Sequence, residues 1–289
     1  MAFGFESTAE QVTEGIDLSG KTWLVTGSNS GLGLESARVL ASRGAHIIAA
    51  ARTEEKAAGA LSALGIAGTP IACELSDLAS VRSAVAAIKA TGLALDGILA
   101  NAGIMALPEL KQKDGIELQL YTNHIGHFAL VTGLLDQLSD DARVVLLSSG
   151  AHLYAQESGL ELDNVSGERD YHPWRMYGRS KLANIMFASA LARRFDGTAR
   201  TANALHPGVI MTNLARHVDN AEAMFSTMKL KTIPQGAATQ CYVAVHPDLA
   251  GVTGKYFADC GEKAPAAVAH DEAEAEALWK WTESVISGS

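Results

Sequence analysis

The sequence predicts an α/β architecture: one doubly wound parallel sheet with helices on both faces. Three observations carry this expectation. From Gly20 onward, short and nearly continuous apolar runs alternate with longer amphipathic stretches, as strands buried on both faces by crossover helices do. Glycines gather where the first apolar run meets the first amphipathic stretch, in TGSNSGLG (26–33). No proline- or serine-rich linker divides the 289 residues, so one domain over 1–289 fits better than two.

The elements follow in order. KTWLVTG (21–27) reads as the first buried strand, and GLGLESARVLASRG (31–44) as a helix closed by Gly44. AHIIAAA (45–51) is strand-like, TEEKAAGALSAL (53–64) helical and TPIACEL (69–75) a third strand. Ser76 or Asp77 caps a helix over 76–92. LDGILANAG (95–103) is a strand entering a glycine-bearing loop, a long helix is expected over about 114–138, and ARVVLLSS (142–149) is the fifth strand. A helix over 175–195, a strand over 200–208, a looser segment to about 232, a helix over 234–245, a short strand over 254–258 and a C-terminal helix complete the pattern.

Composition excludes several classes of function. The chain is 48% hydrophobic and 19% charged, with a formal net charge of −9 and no Lys/Arg-rich run. Nucleic acid and anionic membrane are therefore not expected partners. No apolar run approaches the roughly 18 residues of a membrane span, and the first twenty residues lack a basic segment followed by an apolar one. Cys73, Cys241 and Cys260 show no CxxC spacing, which points to reduced thiols and a cytoplasmic protein. His124 and His127 are spaced like half a metal site, but no acidic or cysteine partner completes it nearby, so no metal is expected.

The glycine turn gives room for backbone N–H groups to approach a pyrophosphate at a helix N-terminus. Its spacing differs from the GxGxxG fingerprint, and a glycine-rich turn alone is a weak signal. At the end of the second strand, where an acid would bind the ribose of NAD, Ala51 is followed by Arg52. An arginine pairs with a 2′-phosphate that an acid would repel. The reading is NADP(H), with NAD(H) as the alternative. In YGRSK (177–181), Tyr177 and Lys181 lie at i and i+4 and share one helix face. Those five letters alone read equally well as surface residues.

Taken together, TGSNSGLG, NAG (101–103), Asn123 in YTNHIGHF, the serines of LLSSG (146–150), YGRSK and HPGVIMT (206–212) resemble the short-chain dehydrogenase/reductase family. The likeness covers nearly the whole chain. NHIGHF, SKLANIMF and GKYFADC look most like the branch containing retinol dehydrogenases and WW-domain oxidoreductases, and the N-terminal STAEQV…GIDLSGK is similar to bacterial members. The resemblance implies a Rossmann-like fold and a small-molecule carbonyl or alcohol substrate. It places the dinucleotide against Gly27, Asn29, Ser30, Gly31, Leu32 and Gly33, then Arg52, Glu74 and Leu75, then Asn101, Ala102 and Gly103. Pro207, Gly208, Val209 and Thr212 would meet the nicotinamide, and Tyr177 and Lys181 its ribose.

The same resemblance makes Tyr177 the proton donor. A phenol with a pKa of about 10 is a poor base at neutral pH, and a nearby ammonium such as Lys181 favours the phenolate. Ser148 and Ser149 both qualify by position as the serine that steadies the substrate oxygen, and the family motif favours Ser149. Asn123, by the family pattern, holds a water that links Lys181 to solvent. Asp77 is better read as a helix cap.

Ser149 and Tyr177 stand 28 positions apart, more than in compact members. Segments 151–174 and 209–232 are expected to form a substrate-site insertion and a lid. His152, Tyr154, Tyr171 and Trp174 would face substrate or pack the insertion, while Met224, Phe225 and Met228 would give the lid an apolar side. A homodimer or homotetramer is the expected assembly. The competing readings are a non-catalytic NADP(H)-sensing protein and, on the same scaffold, a dehydratase or epimerase.

Overall fold

The computed structural model describes residues 3–218 and 225–288. A single turn, α1 (Ala9–Val12), comes first, its N-terminus held by a capping box between Thr8 and Gln11. The predicted alternation comes next: β1 (Thr22–Thr26), α2 (Gly31–Ser42), β2 (His46–Ala51), α3 (Glu54–Leu64), β3 (Gly68–Ala72), α4 (Leu78–Ala90) and β4 (Leu95–Ala100). Of the two cap candidates before α4, Asp77 does the work, its carboxylate accepting the Ala79 N–H at 3.0 Å.

The helix expected over 114–138 is shorter and interrupted. A hairpin, β5 (Gln112–Lys113) and β6 (Ile116–Glu117), occupies its start. Then come α5 (Leu118–Leu120), a π-helical turn over Tyr121–Ile125 and α6 (Gly126–Gly133). The chain continues through β7 (Leu138–Leu147), α7 (Pro173–Arg194), β8 (Thr201–His206), α8 (Ile233–Val245), β9 (Tyr256–Ala258), β10 (Gly261–Lys263) and α9 (Glu272–Ser287).

The strands form one sheet in the order β3-β2-β1-β4-β7-β8-β9-β10. All neighbours are parallel except β10, which turns back at Asp259 and Cys260 to pair antiparallel with β9. That edge strand is a small departure from the all-parallel expectation. On one face the core holds Val81 and Ile88 of α4, Phe128 of α6, Phe187 and Leu191 of α7 and Trp279 of α9. On the other it holds Leu40, Leu61 and Val243 of α2, α3 and α8. Chain order reverses direction between β1 and β4, and the crevice beyond the carboxyl ends of those strands is where such sheets bind ligands.

The start of α6 is held close to the loop after β3. A Cβ on Gly126 would stand 2.2 Å from the Leu75 carbonyl oxygen. Gly126→Ala is therefore expected to destabilise the fold by roughly 1–3 kcal/mol through overpacking. Urea unfolding checks this: an unchanged midpoint would mean the loop yields without cost.

Candidate active site

A cavity of about 1080 Å³ opens at this switch point. Its floor begins with the glycine turn between β1 and α2. Gly27 and Gly31 take left-handed backbone, with φ of +66° and +54°. Ser30 caps α2 in position but makes no side-chain cap bond, so the first-turn N–H groups stay available to an anionic ligand. Gly33 acts differently from its neighbours: a Cβ there would meet the Gly27 carbonyl oxygen at 2.4 Å and Asn101 Nδ2 at 2.5 Å. It packs the turn against the strand behind it and does not line the cavity.

Thr26 ties the two strand ends together. Its hydroxyl accepts the Asn101 and Ala102 N–H groups at 2.9 and 3.0 Å, and Asn101 Nδ2 donates to the Thr26 carbonyl at 2.9 Å. The same hydroxyl lies 2.9 Å from His127 Nε2, whose other ring nitrogen donates to the Asn123 carbonyl at 2.9 Å. His124 instead meets Thr282 at 3.0 Å and packs among Phe128 and Phe187.

Arg52, Glu74 and Leu75, the residues expected to meet adenosine, line the cavity. Glu74 accepts the backbone N–H and hydroxyl of Ser76 at 3.1 and 2.8 Å. A second guanidinium, that of Arg216, also lines this cavity. Partial burial, and then the charge of Arg52, hold it below the ordinary arginine range. Neither arginine forms an ion pair among the described residues. Two unneutralised guanidiniums at one end of a crevice suit a phosphate, and the sequence pattern points only to the first.

Tyr177 and Lys181, also in the lining, are both buried on one face of α7. Lys181 Nζ donates to the Leu147 carbonyl at 3.0 Å and stands 5.6 Å from the Tyr177 ring centre. Burial brings the Lys181 ammonium down to about 8. Burial also pushes the Tyr177 phenol up to about 12, opposed by a hydrogen bond with the Ser149 hydroxyl. The two candidate serines separate cleanly. Ser148 spends its proton on the Lys181 carbonyl at 2.8 Å. Ser149 Oγ accepts the Ala151 N–H at 3.1 Å, which leaves its proton for another acceptor.

Asn123 lies in the π-helical turn and does not line the cavity. Its amide is spent on Ile104, accepting the N–H and donating to the carbonyl at 2.9 Å each, and on the Ser180 hydroxyl at 2.9 Å. Gly103 lies between Asn123 and Lys181: a Cβ there would be 3.0 Å from Asn123 Oδ1 and 3.6 Å from Lys181 Nζ. Pro207, Gly208, Val209 and Thr212 line the wall beyond β8.

The remaining wall is apolar and aromatic. Trp174 meets Tyr177, Phe225 and Tyr154 at centroid distances of 6.2, 6.4 and 6.3 Å. Met105 and Met228 join them around the cavity. Of the four aromatic or imidazole candidates in the insertion, Tyr154 and Trp174 face the cavity and two do not. Tyr171 donates to the Leu107 carbonyl at 2.6 Å, and His152 is buried behind the wall. The expectation for Met224 lies outside the described residues.

Four imidazoles in this region are held neutral by burial. His124 falls to about 3, His127 and His206 to about 4, and His152 is also lowered. Their folded pKa values lie below the ordinary 6.5, so the unfolded chain takes up protons first as pH falls. Stability is therefore complete above about 6.5 and declines toward about 4, with His124, His127 and His206 each contributing roughly 1.4 kcal/mol per pH unit. Urea midpoints measured from neutral to mildly acidic buffer should fall steeply. A flat profile would contradict the neutral assignment.

A glycine-turn crevice at the switch point of a doubly wound sheet, facing a buried Tyr–Lys pair, defines a dinucleotide-binding oxidoreductase. Comparison with known proteins narrows this. Residues 21–160 match the family described as short chain dehydrogenase. Short-chain dehydrogenase TIC 32 B, chloroplastic, of Brassica napus is 43% identical over 98% of this chain and 94% of its own. Retinol dehydrogenase 14 of Mus musculus is 39% identical over 93% and 86%. A short chain dehydrogenase from Burkholderia cenocepacia J2315, solved in complex with NADP, superposes with a TM-score of 0.66 at 26% identity, over 83% of this chain and 96% of that one. The chain belongs to the short-chain dehydrogenase family. Among the described residues, no helix is long and apolar enough to cross a membrane.

Proposed function

We propose that the protein is an NADP(H)-dependent oxidoreductase that interconverts a ketone or aldehyde and its alcohol on an apolar, bulky substrate. The observation that carries this reading is the buried Tyr177 hydroxyl, with Ser149 and Lys181 beside it, in the wall of a cavity that Trp174, Tyr154, Phe225, Met105 and Met228 also line. Gly27, Gly31 and the open N–H groups of α2 suit a pyrophosphate, and Arg52 with Arg216 suits the 2′-phosphate that distinguishes NADP(H) from NAD(H). Bound there, NADPH would supply the hydride for the carbonyl carbon.

The chain's own residues do the rest. Tyr177 gives its proton to the carbonyl oxygen, and Ser149 donates a hydrogen bond to that oxygen as charge develops. Lys181, its ammonium 5.6 Å from the Tyr177 ring centre, stabilises the phenolate left behind. Asn123 holds the Ile104 loop and the Ser180 hydroxyl behind Lys181. Segment 151–174 and the described stretches 209–218 and 225–232 act as insertion and lid, excluding water from the apolar part of the cavity.

The test monitors dinucleotide absorbance with a panel of aryl ketones, retinal and steroid ketones, with NADPH and NADH compared separately. Turnover with NADPH that requires an apolar carbonyl supports the reading. Tight NADPH binding with no turnover across the panel would favour a nucleotide-sensing protein instead.

A further inference from the structure

Two imidazoles flank Ser149, His152 buried behind the wall and His206 half-buried at the edge of the cavity, and neither has been given a role above. They grip opposite ends of one peptide group. His152 Nδ1 lies 2.7 Å from the Ser149 carbonyl oxygen, while the Gly150 N–H donates to His206 Nδ1 at 3.0 Å. The carbonyl of Ser149 and the N–H of Gly150 are the two polar groups of the single peptide unit on the C-terminal side of the serine.

The contacts fix both tautomers. A carbonyl only accepts, so His152 carries its proton on Nδ1, and its bare Nε2 accepts the Ala266 N–H at 3.0 Å. An amide N–H only donates, so His206 presents a bare Nδ1 and carries its proton on Nε2. A second proton on either ring would set N–H against N–H. The surroundings hold both rings in place. Tyr256 packs edge-on to His152 at 5.1 Å. On the His206 side lies the ion pair of buried Lys231 with Asp259 at 2.6 Å, the ammonium opposing a second proton on the ring and the carboxylate favouring one.

We infer that His152 and His206 are positioning residues for Ser149, a pair of neutral imidazoles of opposite tautomer that lock the Ser149–Gly150 peptide plane and so aim the serine hydroxyl at Tyr177. This rests on the reductase reading of the same site. It also gives the C-terminal part of the chain a role there: through its N–H, Ala266 sets the His152 tautomer.

Ring-nitrogen NMR of histidine-labelled protein near neutral pH tests the geometry without turnover. His152 should show an Nδ1–H ring and His206 an Nε2–H ring, each assigned by its own substitution. A doubly protonated or tautomer-averaged signal for either overturns the inference. Kinetics test the consequence. His206→Leu should lower kcat about 10- to 100-fold, the scale of a misplaced group. His206→Asn, whose side-chain oxygen accepts the Gly150 N–H, should recover most of the rate. In a Ser149→Ala background, His206→Leu should cost nothing further. Equal losses for Leu and Asn, or losses that add to that of Ser149→Ala, would refute positioning. Because Tyr177→Phe is assayed alongside, failure of the reductase reading itself would be seen separately, as an inactive wild type.

Discussion

Tyr177→Phe is expected to lower turnover of an apolar ketone by roughly 10²- to 10⁴-fold, the usual contribution of a positioned proton donor. The substitution removes one oxygen and keeps the ring, so the edge-on contact with Trp174 and the packing against Met105 and Ala215 survive. Fold and cofactor binding should survive with them. The loss therefore belongs in kcat, with NADPH affinity by fluorescence titration within about twofold of wild type, as expected when an interaction made only in the transition state is removed. A variant that turns over at the wild-type rate would remove Tyr177 from the chemistry, whatever its position.

The second large effect concerns cofactor choice. A hydrogen bond between a guanidinium and an ionised phosphate contributes about 1.5–3 kcal/mol, so Arg52→Ala should weaken NADPH roughly 10- to 100-fold and leave NADH nearly untouched. Arg216→Ala should act in the same direction, because both guanidiniums line the same cavity and the charge of Arg52 is felt at Arg216. Arg52→Glu should go further and reverse the preference by repelling the 2′-phosphate. Parallel titrations with the two dinucleotides decide the matter. Equal weakening of both would mean that Arg52 only supports the adenine end of the crevice.

Legibility in the sequence depends on what each element shows locally. The central strands are plain because both faces are covered and their letters are nearly all apolar, as in TWLVT and HIIAAA. The helix predicted over 114–138 fails for two reasons. Asp114 and Gly115, both at positive φ, form the two-residue turn of a hairpin, and a D-G pair is the strongest short-range hairpin signal. That signal is present in the sequence, but the helical pattern of residues 118–133 masks it. The π-helical turn at Tyr121–Ile125 leaves no such trace. Tyr177 and Lys181 are readable because four residues of helix bring them together. Arg216 and Arg52, or His152 and His206, meet only through the tertiary fold, and nothing near either pair announces its partner.

Arg179, between Tyr177 and Lys181 in the chain, sends its guanidinium into the insertion instead of the cavity. There it donates to the carbonyls of Leu160, Glu161 and Asn164 and faces the Glu161 carboxylate at 3.7 Å. A chimera made by exchanging the loop alone would strand that buried charge without acceptors, a costly loss. The unit that can be transplanted between relatives to alter substrate range is therefore loop and helix start together, with its seam beyond residue 181.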